Sequence, residues 1–327
     1  MGKFVDYNLK ELVGEPVIKS DTAIALIAYD RIGYFQEVVD ALLKNPAVRD
    51  AKFPVYAFID VNPEDNGNMV EEHVDLLKKK IPHAVCIKRK INYGCGRNII
   101  DARVQLLSNM DYQWAFIFED DMVPSPSYIQ FCLNVRDWVQ ENYDDVGIIQ
   151  GWNKCLLDAK EKKAQIATIG PGFANLWGYL MSRKCWQSLQ PYVLDYQRLF
   201  LRTTYRLRSD KKIRAWFQGL LASGCTTRSE DERAFPVTEE HIRKTERFWD
   251  TPATGQDALT LCTLQKTGWR FLYPIVNRGL YIGREGIHML PASYENHGYG
   301  KMTCDELSAD VDRREFIPLG QAPSRET

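Results

Sequence analysis

The first half of the chain alternates two hydrophobic periods. Residues 23–28 (AIALIA) form a short, wholly apolar run, the pattern of a strand buried on both faces. Phe35, Val38, Val39, Leu42 and Leu43 then recur at i, i+3, i+4, i+7 and i+8, which marks one face of a helix. Residues 55–59 (VYAFI) predict a second strand. Residues 69–80 predict a charged helix with Val70, Val74 and Leu77 turned inward. A third strand is expected over 83–87, a third helix over 96–107 and a fourth strand over 114–118 (WAFIF). This alternation predicts an α/β fold with a mostly parallel sheet flanked by helices.

In such sheets the ligand crevice lies outside the carboxyl ends of the strands. Three of the predicted strands end there in acidic residues: Asp30 (followed by Arg31), then Asp60, then Glu119-Asp120-Asp121. Beyond Asp121 the pattern changes. Ser125-Pro126 reads as a helix cap followed by proline at the first helical position, with the helix running to about Val139. Another strand is expected over 146–149. Residues 170–181, rich in glycine and aromatics, suit a binding loop and a strand. Residues 198–214 are basic, 254–284 are compact again, and the tail after Gly298 reads as polar and mobile.

Composition narrows the picture. The 327 residues are 45% hydrophobic and 26% charged, ordinary globular usage, and the formal net charge of -1 gives no global field toward nucleic acid. Any bound anion must be held by local groups. The eight cysteines contain no C-x-x-C pair, and Cys86, Cys132 and Cys262 fall in apolar segments. The expectation is a reduced, cytoplasmic protein. No run suits a signal peptide or a membrane span, and the opening residues lack the Ser/Thr of a myristoylation site.

The acidic triplet is the most chemically loaded feature. Three adjacent carboxylates repel one another unless a cation sits among them, and oxygen-only ligands suit Mn²⁺ or Mg²⁺. The competing reading is a solvated acidic turn. Asn92-Tyr93-Gly94-Cys95-Gly96-Arg97 places two glycines and an arginine at a strand-to-helix junction, where backbone N–H groups can meet a phosphate or simply form a loop. Asp60 can accept from a base or ribose hydroxyl, or cap the Asn62-Pro63 turn. Asp257, in Thr254-Gly255-Gln256-Asp257, reads as either a helix-terminus carboxylate or a general base. Gly283-Arg284-Glu285-Gly286 suggests a loop over an anion, and the nearby His288 is a metal ligand or a half-buried imidazole.

The order of these motifs resembles the GT-A fold glycosyltransferases. The resemblance rests on Ala25–Arg31 (ALIAYDR), Phe116–Met122 (FIFEDDM), Gly-Trp-Asn at 151–153, Pro-Gly-Phe-Ala-Asn-Leu-Trp-Gly at 171–178 and the run at 277–287. Among them the N-acetylglucosaminyltransferase I family is most similar, with the broad family 2 transferases also alike. The likeness spans about 22–290, with a divergent stretch at 198–250. It implies a nucleotide-binding half (22–121), an acceptor-side half (122–290), an N-terminal extension (1–21) and a C-terminal tail (291–327).

The resemblance also implies roles. Asp121 would be the direct metal ligand, with Asp120 beside it and His288 where some GT-A enzymes place a further ligand. Ala28, Tyr29, Asp30, Arg31, Asp60, Asn92, Gly94, Arg97, Glu119, Asp120 and Arg284 would line the nucleotide-sugar donor. Trp177 and Gly178 would lie near the transferred sugar and the acceptor, and Asp257 would be the catalytic base. The implied reaction is metal-dependent inverting transfer from a nucleotide-diphosphate sugar, UDP first, to a hydroxyl of a glycan or glycoconjugate. A sugar nucleotidyltransferase is the rival enzyme, but Tyr29-Asp30-Arg31-Ile32-Gly33 lacks its glycine-rich, lysine-containing signature. A non-catalytic carbohydrate-binding protein is the other rival. The basic residues at 198–214, followed by the apolar run to 221, are open to three readings: peripheral contact with an anionic membrane, binding of an acidic acceptor, or a solvated helix face.

Overall fold

The computed structural model describes residues 10–65, 67–152, 167–170, 176–202, 207–223, 254–274, 277–286, 289–302 and 304. Strands β1 (Lys10–Val13), β2 (Thr22–Ala28), β3 (Val55–Ile59), β4 (Val85–Arg89) and β5 (Trp114–Glu119) are followed by β6 (Met122–Pro124) and β7 (Val146–Gln150). Then come β8 (Ala167–Gly170), β9 (Tyr179–Ser182), β10 (Arg270–Pro274) and β11 (Gly279–Tyr281). Nine of them form one sheet in the order β1-β4-β3-β2-β5-β9-β7-β10-β8, and β6 pairs with β11 in a separate ribbon. Strands β2, β3, β4, β5, β7 and β10 run one way, and β1, β8 and β9 run against them. The sheet is thus mixed and mostly parallel, as the alternation of periods predicts.

Every residue of β2 is buried, because each face of the sheet carries its own helical layer. Ile24, Leu26 and Ala28 point into a core shared with α1 (Ile32–Leu43), α3 (Asn68–Lys80) and α5 (Tyr128–Asn142). Ala23, Ala25 and Ile27 point the other way, toward α4 (Cys95–Arg103), α6 (Arg183–Phe200), α7 (Asp210–Ala222) and α8 (Gln256–Thr267). The short α2 (Pro46–Arg49) and α9 (Pro291–Asn296) sit on the first side.

Three sequence expectations are corrected. The third strand begins at Val85 rather than 83, because the Ala84 N–H closes a turn onto the Ile81 carbonyl at 2.9 Å. It runs on through Lys88 and Arg89, whose charges are met by Glu11 and Glu71, and by Asp101. The helix after the acidic triplet starts at Tyr128, not Pro126. The Ser125 N–H is spent on the Arg278 carbonyl at 2.7 Å, which extends the β6 pairing and delays the helix. Within residues 1–21, expected as an extension, β1 adds an edge strand antiparallel to β4, which leaves that expectation standing. The start of the tail is packed: Tyr299 and Met302 are buried, and the Tyr299 ring meets Trp177 and Tyr281 edge-on.

Candidate functional site

The parallel strands deliver their carboxyl ends to one rim. Tyr29, Asp30 and Arg31 form the bend between β2 and α1, Asp60 follows β3, and residues 92–94 lead from β4 into α4. Glu119 is the last residue of β5, with Asp120 and Asp121 in the turn before β6. The rim is therefore assembled by register alone: β2 pairs with both β3 and β5, so their ends lie side by side.

Asp120 and Asp121 are buried, and a single guanidinium faces both. Arg31 pairs with Asp120 through Nη2 and with Asp121 Oδ2 through Nη1 at 2.8 Å. The second nitrogen also donates to the Glu285 carbonyl at 3.4 Å, which joins the loop after β11 to the site. Burial pushes Asp120 up to about 7, with Arg31 opposing and Asp121 adding to the shift. Asp121 is raised by burial and lowered by Arg31. Gly283 backs Asp121 so closely that a Cβ there would lie 2.5 Å from Asp121 Oδ2 and 2.5 Å from the Tyr281 hydroxyl. Glycine is required at 283 by this approach, not by backbone angle.

Glu119 keeps some accessible surface yet is densely surrounded. Its carboxyl is driven well up by burial, then by Asp121, Asp257 and Asp120. The Cys95 thiol, at the first position of α4, donates to Glu119 Oε2 at 3.5 Å.

Asp257 lies near enough to raise Glu119 further. It sits in the first turn of α8, where the helix dipole favours a carboxylate. Its carboxylate accepts from the Leu176 backbone N–H and from the Gln256 side-chain amide. Burial raises it to about 6, against the opposing charge of Arg103 and those two hydrogen bonds. Arg103 is 0% exposed. Its Nε donates to the Tyr179 hydroxyl at 2.8 Å, Nη1 to Thr260 Oγ1 at 3.0 Å and Nη2 to Gln256 Oε1 at 3.1 Å.

The other expected site residues take varied positions. Asp60 is 2% exposed, and its oxygens accept from the backbone N–H groups of Val61, Tyr93 and Gly94. It therefore clamps the 92–94 loop onto the end of β3. Asn92 adds to this clamp by donating to the Val61 carbonyl at 2.8 Å, and the Arg97 guanidinium lies 3.9 Å over the Tyr93 ring. Ala28 is buried as the last residue of β2. Trp177 is 9% exposed and stacks on Tyr281, ring centroids 3.8 Å apart, beside Trp152 and Tyr299. Gly178 has φ +60, and a Cβ there would press on Phe118 and the Tyr128 hydroxyl at 3.0 Å. Arg284 is exposed and faces Glu295 at 3.5 Å, away from the carboxylates. His288 lies outside the described residues, as do Asn153, residues 171–175 and most of the 198–250 stretch.

A divalent cation fits this site in one respect: Asp120 Oδ2 is buried without a hydrogen-bond partner, next to a second hard carboxylate. Among the described residues no three His, Cys, Asp or Glu side chains converge as a complete metal cage. Such a cation would draw its remaining ligands from water and from ligand oxygens, as Mg²⁺ commonly does.

Arg103, Tyr179, Gln256 and Cys95 were not candidates from sequence. Arg103 looks like an ordinary polar residue of an amphipathic helix. The one available signal was its place on the apolar, inward side of α4, among Ile99, Ile100 and Ala102.

No family model matches the chain, and no curated protein matches it. Solved structures do. One is the 1–349 segment of TarS from S. aureus, at 11% identity and TM-score 0.35, covering 50% of this chain and 48% of that one. The same segment in complex with UDP-GlcNAc matches at 14% identity and TM-score 0.36, covering 51% and 46%. Mannosyltransferase PcManGT from Pyrobaculum calidifontis, in complex with GDP-Man and Mn²⁺, matches at 12% identity and TM-score 0.41, covering 77% of this chain and 75% of that one. The chain spans about half the length of the TarS segment.

Proposed function

We propose that the chain is a glycosyltransferase of the GT-A type, moving a sugar from a nucleotide-diphosphate donor, UDP first, to a hydroxyl of a glycan or glycoconjugate. One observation carries the reading. Carboxyl groups from distant parts of the chain, Glu119 of the acidic triplet and Asp257, lie near enough to act on each other electrostatically, and burial raises Asp257 to about 6. A base poised there can accept a proton and still be ionised at neutral pH.

In this reading Asp120 and Asp121 would hold Mn²⁺ or Mg²⁺, which supplies neutralisation of the charge on a departing diphosphate. Arg31, already seated between these carboxylates, adds positive charge on the same side. The loop at 92–97, fixed by Asp60, lines the nucleotide end. Asp257 takes the proton of the acceptor hydroxyl as that oxygen attacks the sugar carbon from the face opposite the leaving group, with inversion. Leu176 N–H and Gln256 aim the carboxylate for that transfer. Trp177, held by Tyr281, shapes the sugar pocket from beneath.

The test is nucleotide release from a panel of UDP- and GDP-sugars, with Mn²⁺ and with chelator. Metal-dependent release of the nucleoside diphosphate supports the reading. Turnover only of a sugar phosphate with a nucleoside triphosphate would make the protein a nucleotidyltransferase. Sugar binding without any release would make it a carbohydrate-binding protein.

A further inference from the structure

We propose that Arg103 and Gln256 are positioning residues for Asp257: Arg103 supplies a buried counter-charge, and Gln256 couples that charge to the carboxylate. The proposal rests on the reading of Asp257 as the base.

The argument begins with an imbalance. A fully buried arginine carries a desolvation cost that is ordinarily met by a carboxylate in direct contact. Among the described residues the hydrogen-bond partners of Arg103 are neutral: the Tyr179 hydroxyl, Thr260 Oγ1 and Gln256 Oε1. The nearby negative charge it senses is Asp257, whose ionised form it favours. Between them lies Gln256, and its amide is polarised from both ends. Its oxygen accepts from Arg103 Nη2 at 3.1 Å while its nitrogen donates to Asp257 Oδ1. With the oxygen committed to the guanidinium, the amide cannot flip, so the nitrogen must face Asp257. Thr260 belongs to the same cluster, donating to the Gln256 backbone carbonyl at 2.8 Å and accepting from Arg103.

The arrangement has a functional reason. Asp257 is faced by Glu119 at the end of β5, by Cys95 and Arg103 on α4, by Tyr179 on β9 and by Gln256 on its own helix. Burial works against ionisation of Asp257, and Arg103 is the one cation in this set. Without it, the ionised fraction of Asp257 at neutral pH would fall, and with it the share of molecules able to accept a proton. Arg103 shields itself from solvent behind Tyr179, so it tunes Asp257 without competing for an anionic substrate.

The experiment is a carboxyl titration of the full chain labelled with ¹³C-aspartate, with Asp257→Asn used to identify the Asp257 resonance. Wild type should titrate near 6. Arg103→Gln should raise the midpoint by about one unit, a tenfold change in the ionisation constant. Arg103→Lys, which keeps the charge, should stay within about 0.3 units. Gln256→Leu tests the coupling at a part-exposed side chain on the first turn of α8, so it reads out even where Arg103→Gln does not fold. It should raise the midpoint by about half a unit. Midpoints unmoved in the folded variants would overturn the proposal. Hydrolysis of UDP-GlcNAc with Mn²⁺ by Asp257→Asn is measured alongside. Full activity there removes the base reading whatever the titration gives, whereas an inactive Asp257→Asn with unmoved midpoints removes the positioning role alone.

Discussion

Asp60 offers the sharpest separation between a ligand contact and a structural clamp. Its carboxylate accepts from Val61 N at 3.0 Å, from Tyr93 N at 2.9 and 3.1 Å, and from Gly94 N at 2.7 Å. Replacing it with alanine strips all three donors. The Tyr93 N–H is buried and has no route to water, so leaving it unsatisfied costs about 1–3 kcal/mol. Val61 and Gly94 are partly exposed and recover part of their loss from solvent, adding roughly 1 kcal/mol together. The variant is relieved of a buried carboxylate, whose pKa is raised by burial and lowered by these same hydrogen bonds. The net expectation for Asp60→Ala, after that relief, is a destabilisation of about 1–3 kcal/mol, and for Asp60→Asn, which retains one acceptor oxygen, about 1 kcal/mol. Urea unfolding followed by tryptophan fluorescence measures both. Nucleotide affinity should fall in the same rank order, because the loop at 92–94 loses its anchor. An Asp60→Ala protein as stable as wild type but unable to bind UDP would refute the clamp and make Asp60 a direct ligand contact.

Other substitutions bear on the site itself. Asp257→Asn should keep donor binding by calorimetry and lose transfer by about 10²–10⁴-fold, the usual contribution of a general base. In wild type, activity should rise with pH through about 6 as Asp257 ionises. Because its folded pKa lies above the unfolded carboxylate value, the same ionisation lowers stability as pH climbs from the unfolded value to about 6, so activity and stability move in opposite directions across that window. Asp121→Ala should abolish any difference in UDP affinity between Mn²⁺ and chelator. A difference that survives intact places the metal elsewhere. Gly283→Ala, whose added methyl would meet Asp121 Oδ2 and the Tyr281 hydroxyl at 2.5 Å, should displace the loop and lower thermal stability by an amount typical of overpacking, about 1–3 kcal/mol.

What could be read from the chain, and what could not, divides by the range of the interaction. The buried strands β2, β3 and β5 are continuous apolar runs with acidic ends, so the sheet core and its rim are local facts of composition. Even the direction of the rim follows, since parallel strands joined by helices must present the same end. The errors arise where a partner from far along the chain decides the outcome. Ser125 carries a good capping side chain, but its N–H is taken by Arg278, 153 positions later, and the helix waits until Tyr128. The tail reads as polar, yet Tyr299 is captured by the rings of Trp177 and Tyr281. Arg103 is the strongest instance. Helical periodicity marks position 103 as inward-facing, and an inward arginine without a carboxylate in contact is a conflict between local rule and fold. Such conflicts persist only where another group offsets the cost, and here that group is Asp257, reached through Gln256. A buried cation on a predicted inner face is thus itself a pointer to an acid elsewhere in the chain.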